Sequence, residues 1–310
     1  MLSVRHLQKR YGERCAVDDV SFRVPPGAIT ALLGRNGAGK TTTLRMITGI
    51  LLPDAGQVEI LGSMAGAASL RDRIGYLPEE RGLYGEMRVY ENILFFAALK
   101  GWPGRRVREP AERWLRRLEL WDMRDRKLAE LSKGNQQKVQ LICALLHEPG
   151  LVVLDEPMSG LDPVNASMVA DILRELRAAN RTILVSTHAM ALAETMADEI
   201  VMIDRGRVAC AGTVDEVRQS SSPAQIATFE LDGDGRFLES LPGVAAATFR
   251  GSTAELLLEA GADAQSILAA AVGRVTIRSF GLVVPSLEEV FVAHVGRRAP
   301  ARAVESERDA

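Results

Sequence analysis

Gly34-Arg35-Asn36-Gly37-Ala38-Gly39-Lys40-Thr41 has the spacing G-x-x-x-x-G-K-T, and each residue type in it suits one part of a phosphate chain. Glycines let the backbone turn tightly and approach phosphate oxygens with its N–H groups. Lys40 can reach the β- and γ-phosphates, and the Thr41 hydroxyl can ligate Mg²⁺. The apolar run Ala28 to Leu33 precedes the loop and reads as a buried parallel strand. Leu44, Met46, Ile47 and Ile50 follow at helical spacing. The helix that opens there points its positive end at the same phosphates. Gly34, Arg35, Asn36, Gly37, Ala38, Gly39, Lys40, Thr41 and Thr42 are the expected nucleotide contacts of this stretch. The loop by itself leaves ATPase, kinase and GTPase open.

The apolar run Leu151-Val152-Val153-Leu154 ends in Asp155-Glu156, and open parallel sheets bind their ligands at the carboxyl ends of strands. Asp155 is placed to hold Mg²⁺ through water, opposite Thr41. Glu156 is placed to orient and deprotonate an attacking water. Glu79 follows Pro78 at the carboxyl end of a shorter strand, Ile74 to Leu77. A carboxylate there can ligate Mg²⁺, because hard cations prefer charged oxygen. The competing reading pairs Glu79 with Arg81 in a solvated charge run of little energetic weight. His188 closes Ser186-Thr187-His188 after another buried strand, Thr182 to Ser186.

A sheet has to carry these groups. Leu2 to Leu7 and Asp19 to Val24 read as strands joined through a turn at Tyr11-Gly12-Glu13. Gln57 to Leu61 and Glu199 to Asp204 read as two more. From Tyr90 to about Leu146 the pattern is mainly helical, with Ser132 as an N-cap and a helix over Lys138 to Leu146. Asn165 to Ala179 and Ala189 to Met196 are further helices. Strands alternating with helices predict an α/β fold with a mostly parallel sheet covered on both faces.

Past Ser220-Ser221-Ser222-Pro223, which reads as a linker, the order becomes β-α-β-β-α-β, that of a ferredoxin-like α+β unit. That unit has no phosphate loop and no paired acids at a strand end, so it is not expected to be catalytic. The tail beyond it is charged and expected to be disordered. At 310 residues the chain is long enough for more than one domain. A net charge of −2 argues against general nucleic-acid binding. Cys15, Cys143 and Cys210 show no C-x-x-C spacing, which argues against a zinc site or a disulfide framework and fits a reducing cytosol. Met1 leads straight into a strand, so no signal peptide is expected. Apolar runs such as Ile93 to Leu99 fall short of the ~20 residues that span a bilayer. If the chain works at a membrane, another chain must supply the spans.

Leu131-Ser132-Lys133-Gly134-Asn135-Gln136-Gln137, between the helical stretch and the Asp155-Glu156 strand, resembles the LSGGQ signature of the ATP-binding cassette (ABC) ATPases. Around it, Tyr11 matches the aromatic that stacks on adenine. Ser159-Gly160-Leu161-Asp162 matches the loop after the catalytic acid, and His188 matches the switch histidine. The resemblance covers roughly residues 1–215. It implies an ATPase using ATP and Mg²⁺, in which two ATPase domains pack head to tail. Each ATP then lies between one phosphate loop and the other domain's signature helix. Ser132 and Gly134 would contact the γ-phosphate across that interface, and Asp162 would touch the partner's site. ATP closes the pair, and hydrolysis and release reopen it and move docked membrane helices.

Lys133 and Asn135 stand where the signature has Gly and Gln, and Glu79 stands where the family carries a glutamine. Leu77-Pro78-Glu79-Glu80-Arg81-Gly82-Leu83-Tyr84 and Pro285-Ser286-Leu287-Glu288-Glu289-Val290-Phe291 are similar to one branch, the ATPase subunits of ABC-2-type exporters, notably the sodium-efflux type. The resemblance implies a P-loop ABC ATPase domain over residues 1–218. Its parts are a mostly parallel sheet, an N-terminal antiparallel β element and a helical subdomain at about 82–150. A small ferredoxin-like accessory domain would occupy 224–296 and a disordered tail 297–310. The implied partners are a second copy or a paralogous ATPase subunit and a polytopic membrane permease, with no nucleic acid. The implied location is cytoplasmic, peripheral on the inner face of the cell membrane. A soluble ABC ATPase acting on the ribosome or DNA is the alternative, weakened by a single phosphate loop and the lack of long coiled coils. A small-molecule kinase would lack the signature and His188, and the intact Glu156 counts against a regulatory module without turnover.

Overall fold

The computed structural model describes residues 1–297 apart from 71, 81, 103, 221–224, 260 and 284. Residues 221–223 of the expected linker, the Arg81 partner of Glu79 and the tail from 298 onward lie outside the described residues. The chain divides into two units, Met1–Val214 and Asp215–Ala310.

In the first unit β1 (Leu2–Tyr11) and β2 (Arg14–Val24) form a hairpin, followed by β3 (Ala28–Leu33) and α1 (Lys40–Ile47). Then come β4 (Ala55–Ile60), β5 (Ser63–Met64) and β6 (Ile74–Leu77). Three helices follow, α2 (Val89–Leu99), α3 (Gly104–Arg117) and α4 (Lys133–Leu145). β7 (Leu151–Asp155), α5 (Pro163–Ala178), β8 (Thr182–Thr187), α6 (Met190–Met196), β9 (Glu199–Asp204) and β10 (Arg207–Thr213) complete the unit. The main sheet has the order β10-β9-β3-β8-β7-β6, and the smaller antiparallel sheet the order β2-β1-β4-β5. All neighbours in the main sheet are parallel except β10 against β9.

The central strands carry continuous apolar runs because both of their faces are covered. Alternate residues go to opposite faces. Val152 and Leu154 of β7 and Ile183 and Val185 of β8 pack into a core with Ile93, Leu115, Ile142 and Ile172 of the helices. Leu151, Val153 and Leu184 pack on the other side with Leu44 of α1 and with Leu2, Val20 and Val58 of the small sheet. Burying one such side chain contributes about 1.5–3 kcal/mol. A polar residue at any of these positions would remove that and add a desolvation cost.

Some boundaries differ from the sequence expectation. The hairpin strands are longer, reaching Tyr11 and starting at Arg14. Register shifts interrupt their pairing, and His6 (φ 52) and Asp19 (φ 59) are left-handed, which hides the period-two alternation. β4 begins at Ala55, ahead of the expected Gln57. α4 starts at Lys133, not Lys138, because Ser132 Oγ accepts from the Asn135 N–H (3.3 Å) and opens the helix there. β5 and β10 were not foreseen.

The second unit begins with α7 (Val214–Ser220), whose first residue closes the first unit. β11 (Ile226–Asp232), β12 (Val244–Arg250), β13 (Thr253–Leu258), α8 (Ala264–Ala271), β14 (Thr276–Val283) and α9 (Leu287–Arg297) follow. The four strands form an antiparallel sheet in the order β12-β13-β11-β14. The first helix of the expected β-α-β-β-α-β order is only a 3₁₀ turn, Arg236–Ser240. Its Leu238 joins Ile267 of α8 and Phe229, Leu256 and Leu258 of the strands in one core.

Candidate nucleotide site

The parallel register sets the site. Leu33 pairs with Thr187, Asp155 with Ser186, and Leu77 with Leu154, so four strands end together. The residues that follow, Gly34, His188, Glu156 and Pro78-Glu79, therefore emerge at one edge of the sheet.

Gly39 precedes α1 with a left-handed backbone, φ 106, and a β-carbon on it would come 2.5 Å from the Ala16 carbonyl oxygen. Only glycine fits there. Behind the loop, the Gly206 N–H donates to the Ala38 carbonyl (2.8 Å), and the Asp18 N–H donates to the Gly206 carbonyl (2.7 Å). The phosphate loop thus leans on the β9–β10 turn, which leans in turn on β2. An ion pair from Arg207 to Asp18 (2.6 Å) closes this buttress. Lys40 is buried, and its Nζ donates to the carbonyls of Gly34 (2.7 Å) and Arg35 (3.3 Å). Burial pushes its pKa down, and the carboxylates of Glu156, Asp155 and Glu79 oppose that shift. The ammonium therefore lies in the field of all three predicted acids.

Asp155 is fully buried, and the Ser186 hydroxyl donates to its Oδ1. Its Oδ2 is buried with no hydrogen-bond partner. Glu156 follows with a left-handed backbone, φ 49, a conformation that costs on the order of 1 kcal/mol outside glycine. Its N–H donates to the Ser186 carbonyl (3.1 Å), and its carboxylate accepts from Thr187 Oγ1 (3.2 Å). His188 Nδ1 lies 2.8 Å from Glu156 Oε1.

A cleft of about 500 Å³ opens over these groups, lined by Arg35, Asn36, Gly37, Gly39, Lys40, Thr41 and Thr42 of the loop and by Glu79, Asp155 and Glu156. Tyr11, half exposed, lines it too. Gly34 and Ala38 line an adjoining depression with His188. Ser132, Gly134 and Asp162 do not line their own chain's cleft. Ser132 caps α4, Asp162 caps α5 by accepting from the Asn165 N–H (2.9 Å), and Gly134 packs near Leu161. Sequence reasoning missed Arg14, which lines the cleft directly across the hairpin from Tyr11. The Gly12 turn was the available signal, since a tight hairpin at Gly12-Glu13 must set residues 11 and 14 side by side.

The donor set suits a hard cation. Asp155 offers a buried oxygen without a partner, and Thr41 lines the same cleft. Among the described residues no three His, Cys, Asp or Glu side chains gather as a metal cage. A metal here would complete its shell from phosphate and water oxygens, the way Mg²⁺ is usually held.

A glycine loop between a buried strand and a helix, facing paired acids at the end of a strand two places along the same sheet, defines a P-loop nucleoside-triphosphatase site. The ABC transporter family matches residues 17–159, and the C-terminal domain of DrrA1-3-like ATP-binding proteins matches residues 212–295. The chain is 38% identical to the ABC transporter ATP-binding protein YhaQ of Bacillus subtilis (strain 168), over 96% of this chain and 99% of that one. It is 34% identical to the Nod factor export ATP-binding protein I of Rhizobium sp. (strain N33), over 94% and 95%. Among solved structures it resembles the dimeric bacterial ABC transporter cassette MJ0796, with a TM-score of 0.64 and 25% identity over 69% of this chain and 98% of that one. This chain belongs to the ABC transporter ATP-binding proteins, and it is an ABC ATPase. Among the described residues no helix is long and apolar enough to cross a membrane.

Proposed function

We propose that this chain is the ATP-hydrolysing subunit of an exporter. It works with a second copy of itself or a paralogous ATPase subunit, docked on a polytopic permease at the inner face of the cell membrane. The observation that carries the hydrolytic part is the Glu156 carboxylate, held by Thr187 and His188 beside Lys40. Glu156 orients and deprotonates the attacking water. Lys40 exchanges the Gly34 and Arg35 carbonyls for the γ-phosphate, and Tyr11 stacks on adenine. Thr41 and Asp155 hold Mg²⁺, with Glu79 as a further carboxylate. When bound, that ion neutralises charge on the β- and γ-phosphate oxygens. Ser132, Gly134 and Asp162 serve the partner's nucleotide, a role that accords with their distance from their own cleft. Likeness to a dimeric cassette supports the pairing, and likeness to a Nod factor export protein supports the direction of transport. Purification from detergent-solubilised membranes tests the reading. A polytopic membrane protein that copurifies and stimulates ATP hydrolysis is expected. A stable complex with ribosomes or DNA in its place would overturn the proposal.

A further inference from the structure

Gln140 lies in the middle of α4 and is 4% exposed. Its Nε2 donates to the carbonyls of Pro78 (3.0 Å) and Glu80 (3.3 Å), which bracket Glu79. Its Oε1 is buried with no partner. An amide is costly in a core unless it is bonded, and Gln140 is buried as its chain neighbours Val139 and Leu141 are. Three residues earlier, on the same helix face, buried Gln137 donates to the Pro157 carbonyl (3.4 Å), next to Glu156. One face of α4 therefore holds the backbone beside each of two acids in the cleft. Glu79 lines the cleft, yet its carboxylate has no hydrogen-bond or ion-pair partner among the described residues. Its place is set by its backbone, and Gln140 grips that backbone on both sides.

We infer that Gln140 is the positioning residue for Glu79, tying that acid's place in the cleft to the orientation of α4. The inference rests on the reading of Glu79 as a carboxylate on the metal side of the site. α4 begins at Lys133, inside the stretch that resembles the signature. A tilt of the helix when that stretch meets a partner's nucleotide would carry the Pro78–Glu80 segment with it. The two hydrogen bonds make this coupling local and removable, without touching the phosphate loop.

A double-mutant cycle in the full chain tests this, using Gln140→Met, Glu79→Gln and both together. The readouts are kcat, KM for ATP and the Mg²⁺ dependence of hydrolysis. Met keeps nearly the volume but donates no hydrogen bond. Gln140→Met should lower kcat about tenfold, less than the ~10²-fold that a 1 Å misplacement can cost. It should also raise the Mg²⁺ needed for half-maximal rate, with KM for ATP moving no more than about twofold. In the Glu79→Gln background the same substitution should add little. Effects that simply multiply would overturn the inference, because Gln140 would then act without regard to Glu79. If Glu79→Gln changes rate or metal dependence and Gln140→Met does not, the inference alone falls. If Glu79→Gln changes nothing, the reading of Glu79 falls and takes the inference with it. Gln140→Asn, one methylene shorter, carries the same cycle if the Met variant does not fold.

Discussion

Glu156→Gln should stop hydrolysis and leave ATP bound. A positioned general base contributes about 10²–10⁴ in rate, or about 3–5 kcal/mol of barrier, so turnover should fall by that factor. The fold should not suffer. The amide oxygen can still accept from Thr187 Oγ1, now at 3.2 Å, and the amide N–H₂ can donate to His188 Nδ1, at 2.8 Å from the present carboxylate. With two hydrogen bonds replaced by two, each worth about 0.5–1.5 kcal/mol net, the remainder is under about 1 kcal/mol. That moves the melting temperature by only a few degrees, roughly 2–4 °C per kcal/mol in a domain of this size. Lys40 loses the strongest of the carboxylates opposing its burial shift, so less negative charge faces an incoming phosphate. ATP affinity should hold or rise. Phosphate release gives the rate, and equilibrium binding of a fluorescent ATP analogue gives the affinity. Wild-type turnover would refute Glu156 as the base. Loss of binding in a folded variant would show that it acts by holding the loop.

Lys40→Ala removes the charge partner of the γ-phosphate, worth about 1.5–3 kcal/mol as a charge-assisted bond, and ATP affinity should fall roughly ten- to a hundredfold by titration calorimetry. Unchanged affinity would exclude the lysine from the phosphate site. Stability against pH reports on buried His147, whose Nε2 lies 3.1 Å from the Ile74 carbonyl. Burial, with help from Lys100, pushes its pKa from 6.5 down to about 4. Below pH 6.5 the unfolded chain takes up a proton that the folded chain refuses, so stability drops as pH falls from 6.5 to 4. The loss levels off near 3 kcal/mol, on the order of 1.4 kcal/mol per unit of pKa. Urea titrations of His147→Gln, which keeps a donor for Ile74, should show a flatter decline, and parallel curves would refute the assignment. Deleting residues 224–310 should leave ATP binding intact, because the Phe229 core is separate from the two cores beneath the cleft. Loss of binding in a folded truncation would refute it.

The phosphate loop was legible because its glycines are dictated by backbone geometry, as Gly39 shows, and its flanks by burial on both faces. Ala28 to Leu33 and Leu151 to Leu154 could hardly be anything but central strands. The order β9-β3-β8-β7-β6 was not legible, since strand adjacency depends on crossovers that leave no local pattern. Yet this order brings His188 to Glu156. Gln140 was invisible for the opposite reason. A glutamine inside a helix reads as a solvent position, and only the nearby Pro78 and Glu80 carbonyls make its burial sensible. The residue types of the cleft could be read along the chain, and Arg14 only by carrying the tight Gly12-Glu13 turn through to the pairing of residues 11 and 14.

Gly206 has one more consequence, for a chain that is still being made. Synthesis runs from the N-terminus, so the glycine loop, Asp155, Glu156 and His188 all exist before the turn at Gly206 that braces Ala38 and Asp18. A nascent chain ending between them would own every reactive side chain and lack the prop behind its phosphate loop. ATP is therefore expected to bind such a chain more weakly than the finished unit, whose loop is braced. It stabilises the finished product by mass action. Messages cut short before β9 would also leave one edge of β3 unpaired, an open invitation to association with another strand.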